Sequence, residues 1–277
     1  HVEETPRFRF ETPAAHARAL APLVAAAEDV RRHHCRLIKP CFEGRITVKV
    51  LPEEEGFRRA QPGGHIDWAA GIAYADRSLI LLRLDEGMIL DLLETFEHEV
   101  SHILLLNAMP RRPPRWFIEG LAILQARQDL IQRFEAAAGA ALRGRLISLD
   151  DLEETFPPSA AERRLAYAQS GLFLHFLQSA LGGPGGLREL LGRMAGGEDL
   201  PDAVQAISGR TLSALEDEWR DTFGTGMRPW IVALRDAWWL WTLMVLLFLV
   251  AVAAKLRRVR RRRRVLAAED AEWEYRH

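Results

Sequence analysis

Residues 86–107 read EGMILDLLETFEHEVSHILLLN, and their reading decides the fold. Ile89, Leu92, Leu93, Phe96, Val100, Ile103 and Leu104 recur at helical spacing and form one apolar stripe. Asp91, Glu94, Thr95, His98 and His102 follow a different line on the same helix. Residues four apart share a helix face, so His98 and His102 can reach one ion. The segment HEVSH at 98–102 is therefore an H-E-x-x-H pattern, and zinc accepts two such imidazole nitrogens. Glu99 stands beside both histidines, where it can accept a proton without filling a coordination position.

A catalytic zinc site takes a third protein ligand and keeps one position open. Residues 115–122 read RWFIEGLA. Glu119 falls in the helix that follows the Pro-rich connection at 110–114, and an antiparallel return would bring it beside His102. Gly120 permits close helix packing there, and Trp116 and Phe117 can anchor the helix in the core. His65 and His175 are the other candidates, each dependent on the fold.

Outward from this pair of helices the pattern is mixed. RFRFE at 7–11 and RITVKVL at 45–51 alternate as strands, residues 70–75 read as extended, and SLILLRL at 78–84 is an apolar strand. A helix is expected over 13–34, and others over 86–107, 115–138, 160–181, 187–195 and 201–208. GGPGG at 182–186 is a stop, and Ser213 with Glu216 has capping-box spacing for a last helix. Strands come first and helices after, which predicts an α+β fold.

F-E-H-E-V-S-H-I-L followed by W-F-I-E-G-L-A resembles the gluzincin branch of zinc metallopeptidases, in particular the peptidase-MA-like domains. AYAQSGLFLHFL at 166–177 resembles their downstream helix, SGRTLSALEDEW at 208–219 their closing segment, and SLILLRL their active-site edge strand. The resemblance covers about residues 5–225. It implies a zincin-like domain with early strands and a mainly helical remainder. It also implies zinc held by His98, His102 and Glu119, with Glu99 as the base that activates a zinc-held water to hydrolyse peptide bonds. Related enzymes often place a tyrosine or histidine on the downstream helix to hold the oxyanion, which favours Tyr167 over His175 or Tyr74. In some gluzincins an aspartate four residues after the glutamate ligand orients a histidine; here that position is Ile123. A strand offered for backbone pairing suits a peptide or protein substrate. A scaffold that keeps the fold without turnover, or a hydrolase of a non-peptide bond, are the alternatives.

Composition sets further expectations. The chain has 277 residues, with 48% hydrophobic and 27% charged, unlike a disordered or fibrous chain. Residues 255–277 contain nine of its 37 basic and four of its 38 acidic residues, which leaves 28 and 34 in the rest. An acidic body offers no basic face, so no nucleic-acid partner is expected. Cys35 and Cys41 allow one disulfide in an oxidising compartment. Residues 237–254, AWWLWTLMVLLFLVAVAA, carry no charge and would rise about 27 Å as a helix, near the ~30 Å of a bilayer core. Eight Lys/Arg follow in residues 255–264. The expectation is a metallopeptidase domain over 1–229, a juxtamembrane and transmembrane helix over 230–254, and an Arg-rich tail over 255–277. By the positive-inside rule that tail lies in the cytoplasm against anionic lipid. The catalytic domain of this single-pass protein is then periplasmic or extracellular, behind a removed signal peptide.

Overall fold

The computed structural model describes residues 1–52, 54–62, 69–84, 89–126, 128, 137, 139–141, 144–153, 156–222 and 246–248, with only the backbone for 89–91. The chain divides into two compact units, His1–Phe223 and Gly224–His277. The architecture below is that of the first.

Five short strands form one mixed sheet: β1 (Val2–Glu4), β2 (Phe8–Glu11), β3 (Ile46–Leu51), β4 (Gly71–Tyr74) and β5 (Leu79–Arg83). Their spatial order is β1-β2-β3-β5-β4. The middle pairs are parallel and the two outer pairs antiparallel. Alternation sorts the faces: Phe8, Phe10, Ile46, Val48, Val50, Ile80 and Leu82 are all buried on one side. The other side of β2 and β3 carries ion pairs instead, Arg9 to Glu11 at 2.8 Å and Lys49 to Glu11 at 3.5 Å.

Two helices pack on the apolar face, α1 (Leu20–His34) and α3 (Ile89–Ala108), while α2 (Glu54–Ala60) packs against β3 and β5 with Phe57 buried. Phe96 of α3 lies against Phe8 and Phe10 with ring centroids 5.6 and 5.9 Å apart. Of the α3 stripe, Leu92, Phe96, Val100, Ile103 and Leu104 are buried and Leu93 is half-buried. Residues 14–19, expected as part of α1, form a 3-10 helix instead. A disulfide joins Cys35 to Cys41 beyond the end of α1.

Five further helices are bounded by described residues in this unit: α4 (Arg115–Gln125), α5 (Ala160–Ala180), α6 (Pro184–Ala195), α7 (Leu200–Ser208) and α8 (Leu212–Asp221). The expected helix over 115–138 stops at Gln125, and most of its remainder lies outside the described residues. Gly182 and Gly183 separate α5 from α6 at positive φ, and Pro184 opens α6. Ser213 does not cap α8. Thr211 does, accepting from the Ala214 N–H, while Glu216 accepts from the Leu149 N–H and from Arg220. The box spacing occurs instead at Ser159 and Glu162, where α5 begins.

The α4–α5 contact is unusually close because each helix offers the other a glycine. A Cβ on Gly120 would stand 2.5 Å from the Ser170 carbonyl oxygen, and one on Gly171 would stand 2.8 Å from Ile123 Cγ2. The first obstacle is backbone and cannot rotate away. Gly120→Ala is therefore expected to destabilise the domain by about 1–3 kcal/mol, read as a lower urea midpoint. An unchanged midpoint would mean that the helices do not need this approach.

His34 is the buried titratable group behind the site. Its Nε2 lies 3.0 Å from the Glu97 carbonyl oxygen, and burial lowers its pKa from 6.5 to about 4. The unfolded imidazole takes a proton near pH 6.5 while the folded one resists until about pH 4. Stability from this residue is thus present above pH 6.5 and falls on acidification toward pH 4, by on the order of 3 kcal/mol. Urea melts at pH 7 and 4.5 check this: His34→Gln should show the smaller loss, and equal losses would remove His34 as the cause.

The transmembrane helix expected over 237–254 is a correction. No helix among the described residues is long and apolar enough to cross a membrane. Of that segment only the helical Leu246–Phe248 is described, and the rest lies outside the described residues. An apolar run supplies composition, but a crossing also requires one unbroken helix of about 20 residues to satisfy its backbone groups. The described residues form an α+β fold with early strands and a mainly helical remainder, and no spanning helix is among them. The single-pass placement, the cytoplasmic tail and the lipid partner rested on the helix and are withdrawn with it.

Candidate metal centre

The site forms where α3, α4 and α5 meet. His98 and His102 stand one turn apart on α3, with ring centroids 4.7 Å apart and planes at 88°. Glu119 reaches them from α4. Its Oε2 lies 3.3 Å from His98 Nε2 and 3.5 Å from His102 Nε2. The donor atoms of the three residues all fall within 4.8 Å of one another. Bonds of about 2.0–2.1 Å at tetrahedral angles would separate ligand atoms by about 3.3 Å. The spacing of the carboxylate oxygen from each imidazole nitrogen thus fits a zinc ion, and so does the donor set of two nitrogens and one oxygen. The imidazoles keep 12% of their side-chain surface and Glu119 8%, so the three ligand candidates are largely shielded from solvent.

Electrostatics follow from burial and crowding. Burial alone would raise the Glu119 carboxyl, but His102 and then His98 hold it well below the usual carboxylate range. Burial pulls the His102 imidazole down, and the charge and hydrogen bond of Glu119 overcome this and raise it. Glu99 is buried next to the ligands, and its burial pushes its pKa up against the pull of both histidines. The Ala73 backbone N–H donates to its carboxylate. That contact needs β4 close to α3, and Gly71 allows it: a Cβ there would stand 2.6 Å from Thr95 Cγ2 and 2.9 Å from Glu99 Cγ.

Of the candidate oxyanion donors, Tyr167 on α5 is near enough to feel the charges of Glu119 and Glu99. Burial and then the Glu119 charge raise its hydroxyl above the ordinary phenol range, and Arg115 opposes them with its charge and a hydrogen bond. Tyr74 on β4 is raised by burial and lowered by Arg77. His175 points to solvent, and His65 lies outside the described residues. The edge-strand expectation needs correcting. SLILLRL forms β5, which is paired on both sides, and β4 stands at the sheet edge.

Ile123 packs on Gly171, so the position that could have oriented a histidine serves helix packing. Among the described residues, the buried Nδ1 atoms of His98 and His102 have no hydrogen-bond partner. Sequence reasoning assigned no role to Arg115, whose Nε lies 3.6 Å from Glu119 Oε1. Its spacing from Glu119, four residues on one helix, was the available signal.

A profile of the peptidase MA superfamily matches residues 65–225, which is more than half of the chain. The chain belongs to that superfamily, whose fold it shares with zinc metallopeptidases. Curated proteins offer no sequence match. Among solved structures the chain is similar to native yeast LTA4 hydrolase, at 13% identity and a TM-score of 0.50, covering 80% of this chain and 38% of that one. A structure of native leukotriene A4 hydrolase from Saccharomyces cerevisiae matches at 12% identity and a TM-score of 0.49, covering 78% and 37%. The chain spans less than two fifths of their length.

Proposed function

We propose that the protein is a zinc-dependent peptidase, with zinc held by His98, His102 and Glu119. The observation that carries this reading is the convergence of three metal-ligating atoms, at 3.3 and 3.5 Å across the two histidine–glutamate pairs, beside a carboxylate that is not a ligand. A purely structural ion has no use for that carboxylate. Zinc in this position would supply Lewis-acid chemistry, polarising a carbonyl and acidifying a water.

The side chains then divide the work. Glu99 accepts a proton from the attacking water and passes it to the leaving amine nitrogen. Its buried setting, with Ala73 N–H as a fixed donor, holds the carboxylate in one orientation. Tyr167 donates its hydroxyl hydrogen to the oxygen that becomes negative as the carbonyl carbon turns tetrahedral. The edge of β4 lies beside Glu99 and can pair with an extended peptide backbone, which favours a peptide or protein as substrate.

The test is cleavage of a peptide library by the zinc-reconstituted chain, with and without a chelator. Cleavage that disappears on chelation and returns with zinc supports the reading. A chain that carries zinc and cleaves no peptide, but does hydrolyse an ester or an epoxide, would replace it with hydrolysis of a non-peptide bond.

A further inference from the structure

We infer that Arg115 is a positioning residue that ties the third metal ligand to the oxyanion donor. Its guanidinium fixes Glu119 so that Oε2 faces the imidazoles, and it orients the Tyr167 hydroxyl. The inference rests on the metal site proposed above and extends it to a residue that neither touches the ion nor reacts.

A carboxylate that gives one oxygen to an ion must satisfy the other when it is buried. In Glu119 the first oxygen is Oε2, facing both histidines. The second is Oε1, and Arg115 Nε pairs with it at 3.6 Å. That Nε is itself buried and makes no hydrogen bond among the described residues, so the ion pair is its compensation. The same guanidinium also hydrogen-bonds to Tyr167, and both groups lie against the Phe156 ring.

Two contacts hold Arg115 in place, and a third braces the first. Its guanidinium carbon sits 5.0 Å above the Phe156 ring. Phe156 in turn meets Tyr167 edge-on, with centroids 4.9 Å apart. The Arg115 backbone N–H donates to the Glu153 carbonyl at 2.7 Å, which ties the start of α4 to the segment before α5. A planar group with five donors in a rigid fork can hold a carboxylate and a phenol in one fixed geometry, whereas an ammonium on a flexible stem is a point charge that fixes neither direction. Arginine therefore suits this place and lysine does not.

The experiment compares zinc affinity, by competition with a chromophoric chelator, in the full-length wild type, Arg115→Met and Arg115→Lys. Thermal melts of the metal-free proteins and steady-state kinetics accompany it. Arg115→Met should bind zinc about 10–100-fold more weakly, whatever its metal-free melting temperature loses through the unpaired Glu119 oxygen. Arg115→Lys should recover part of the zinc affinity and still lose kcat with little change in KM, because Tyr167 lacks its partner. Wild-type zinc affinity in both variants with a lowered metal-free melting temperature would overturn the inference and leave Arg115 as a stacking residue. If Arg115→Met does not fold, Arg115→Lys decides: wild-type kcat at full zinc occupancy overturns the inference, and reduced kcat supports it. A wild type that binds no zinc would instead defeat the metal site itself.

Discussion

Glu99→Gln should lower peptide hydrolysis by about 10²–10⁴-fold, the usual contribution of a general base, and leave zinc binding intact. The substitution keeps the size of a side chain that is buried against β4, so the packing around it should hold. What it removes is the basic oxygen. A glutamine amide cannot take a proton from water or deliver one to the leaving amine. Glu99 is not among the three residues whose donor atoms converge, so the metal should remain. The check is kcat/KM on a cleaved peptide with zinc content measured on the same sample. Wild-type kcat/KM would sink the base assignment. Loss of zinc along with activity would make Glu99 part of the ligand set.

Glu119→Ala should bind zinc far more weakly than wild type, by more than the ~10–100-fold that loss of a partner hydrogen-bonded to a ligand costs. One oxygen of Glu119 faces both imidazoles and the other faces Arg115. Alanine removes the third ligand and leaves Arg115 with its cation next to two histidines. A cation at that spot also disfavours a second cation, so the loss exceeds that of a missing bond. Chelator competition reads the change. Unchanged zinc affinity would show that the third ligand lies elsewhere, with His65 as the next candidate.

The parts of this site that sequence revealed are those set by local spacing. His98, Glu99 and His102 lie within two turns of one amphipathic helix, so their convergence needs only helical periodicity. Glu119 required one more step, a return across a short Pro-rich connection into a helix with glycine at the crossing. Tyr167 came from resemblance alone, since nothing in its neighbourhood of sequence says that α5 packs on α4. The glycine pair that makes this packing close is legible only once Ser170 and Ile123 are seen opposite.

Other features were hidden for physical reasons. A strand covered on both faces reads the same at the centre or the edge of a sheet, so the run 78–84 did not show that β4 takes the edge. The helix α2 buries only Phe57 and has no apolar stripe to announce it. β1 is three residues long and has a single antiparallel neighbour. The apolar run at 237–254 is the reverse case, a strong composition signal for which the described residues contain no spanning helix. Arg115 was visible as a charge but looked like any solvated arginine, because its role depends on Phe156 and Tyr167, both more than 40 residues away.

The most direct test of the account is the zinc content of the purified full-length chain after reconstitution, by elemental analysis. The account predicts about one zinc per chain, as a site with three protein ligands requires. A chain that retains no zinc under these conditions would contradict it, leaving His98, His102 and Glu119 as a buried polar cluster in a fold that no longer holds the metal.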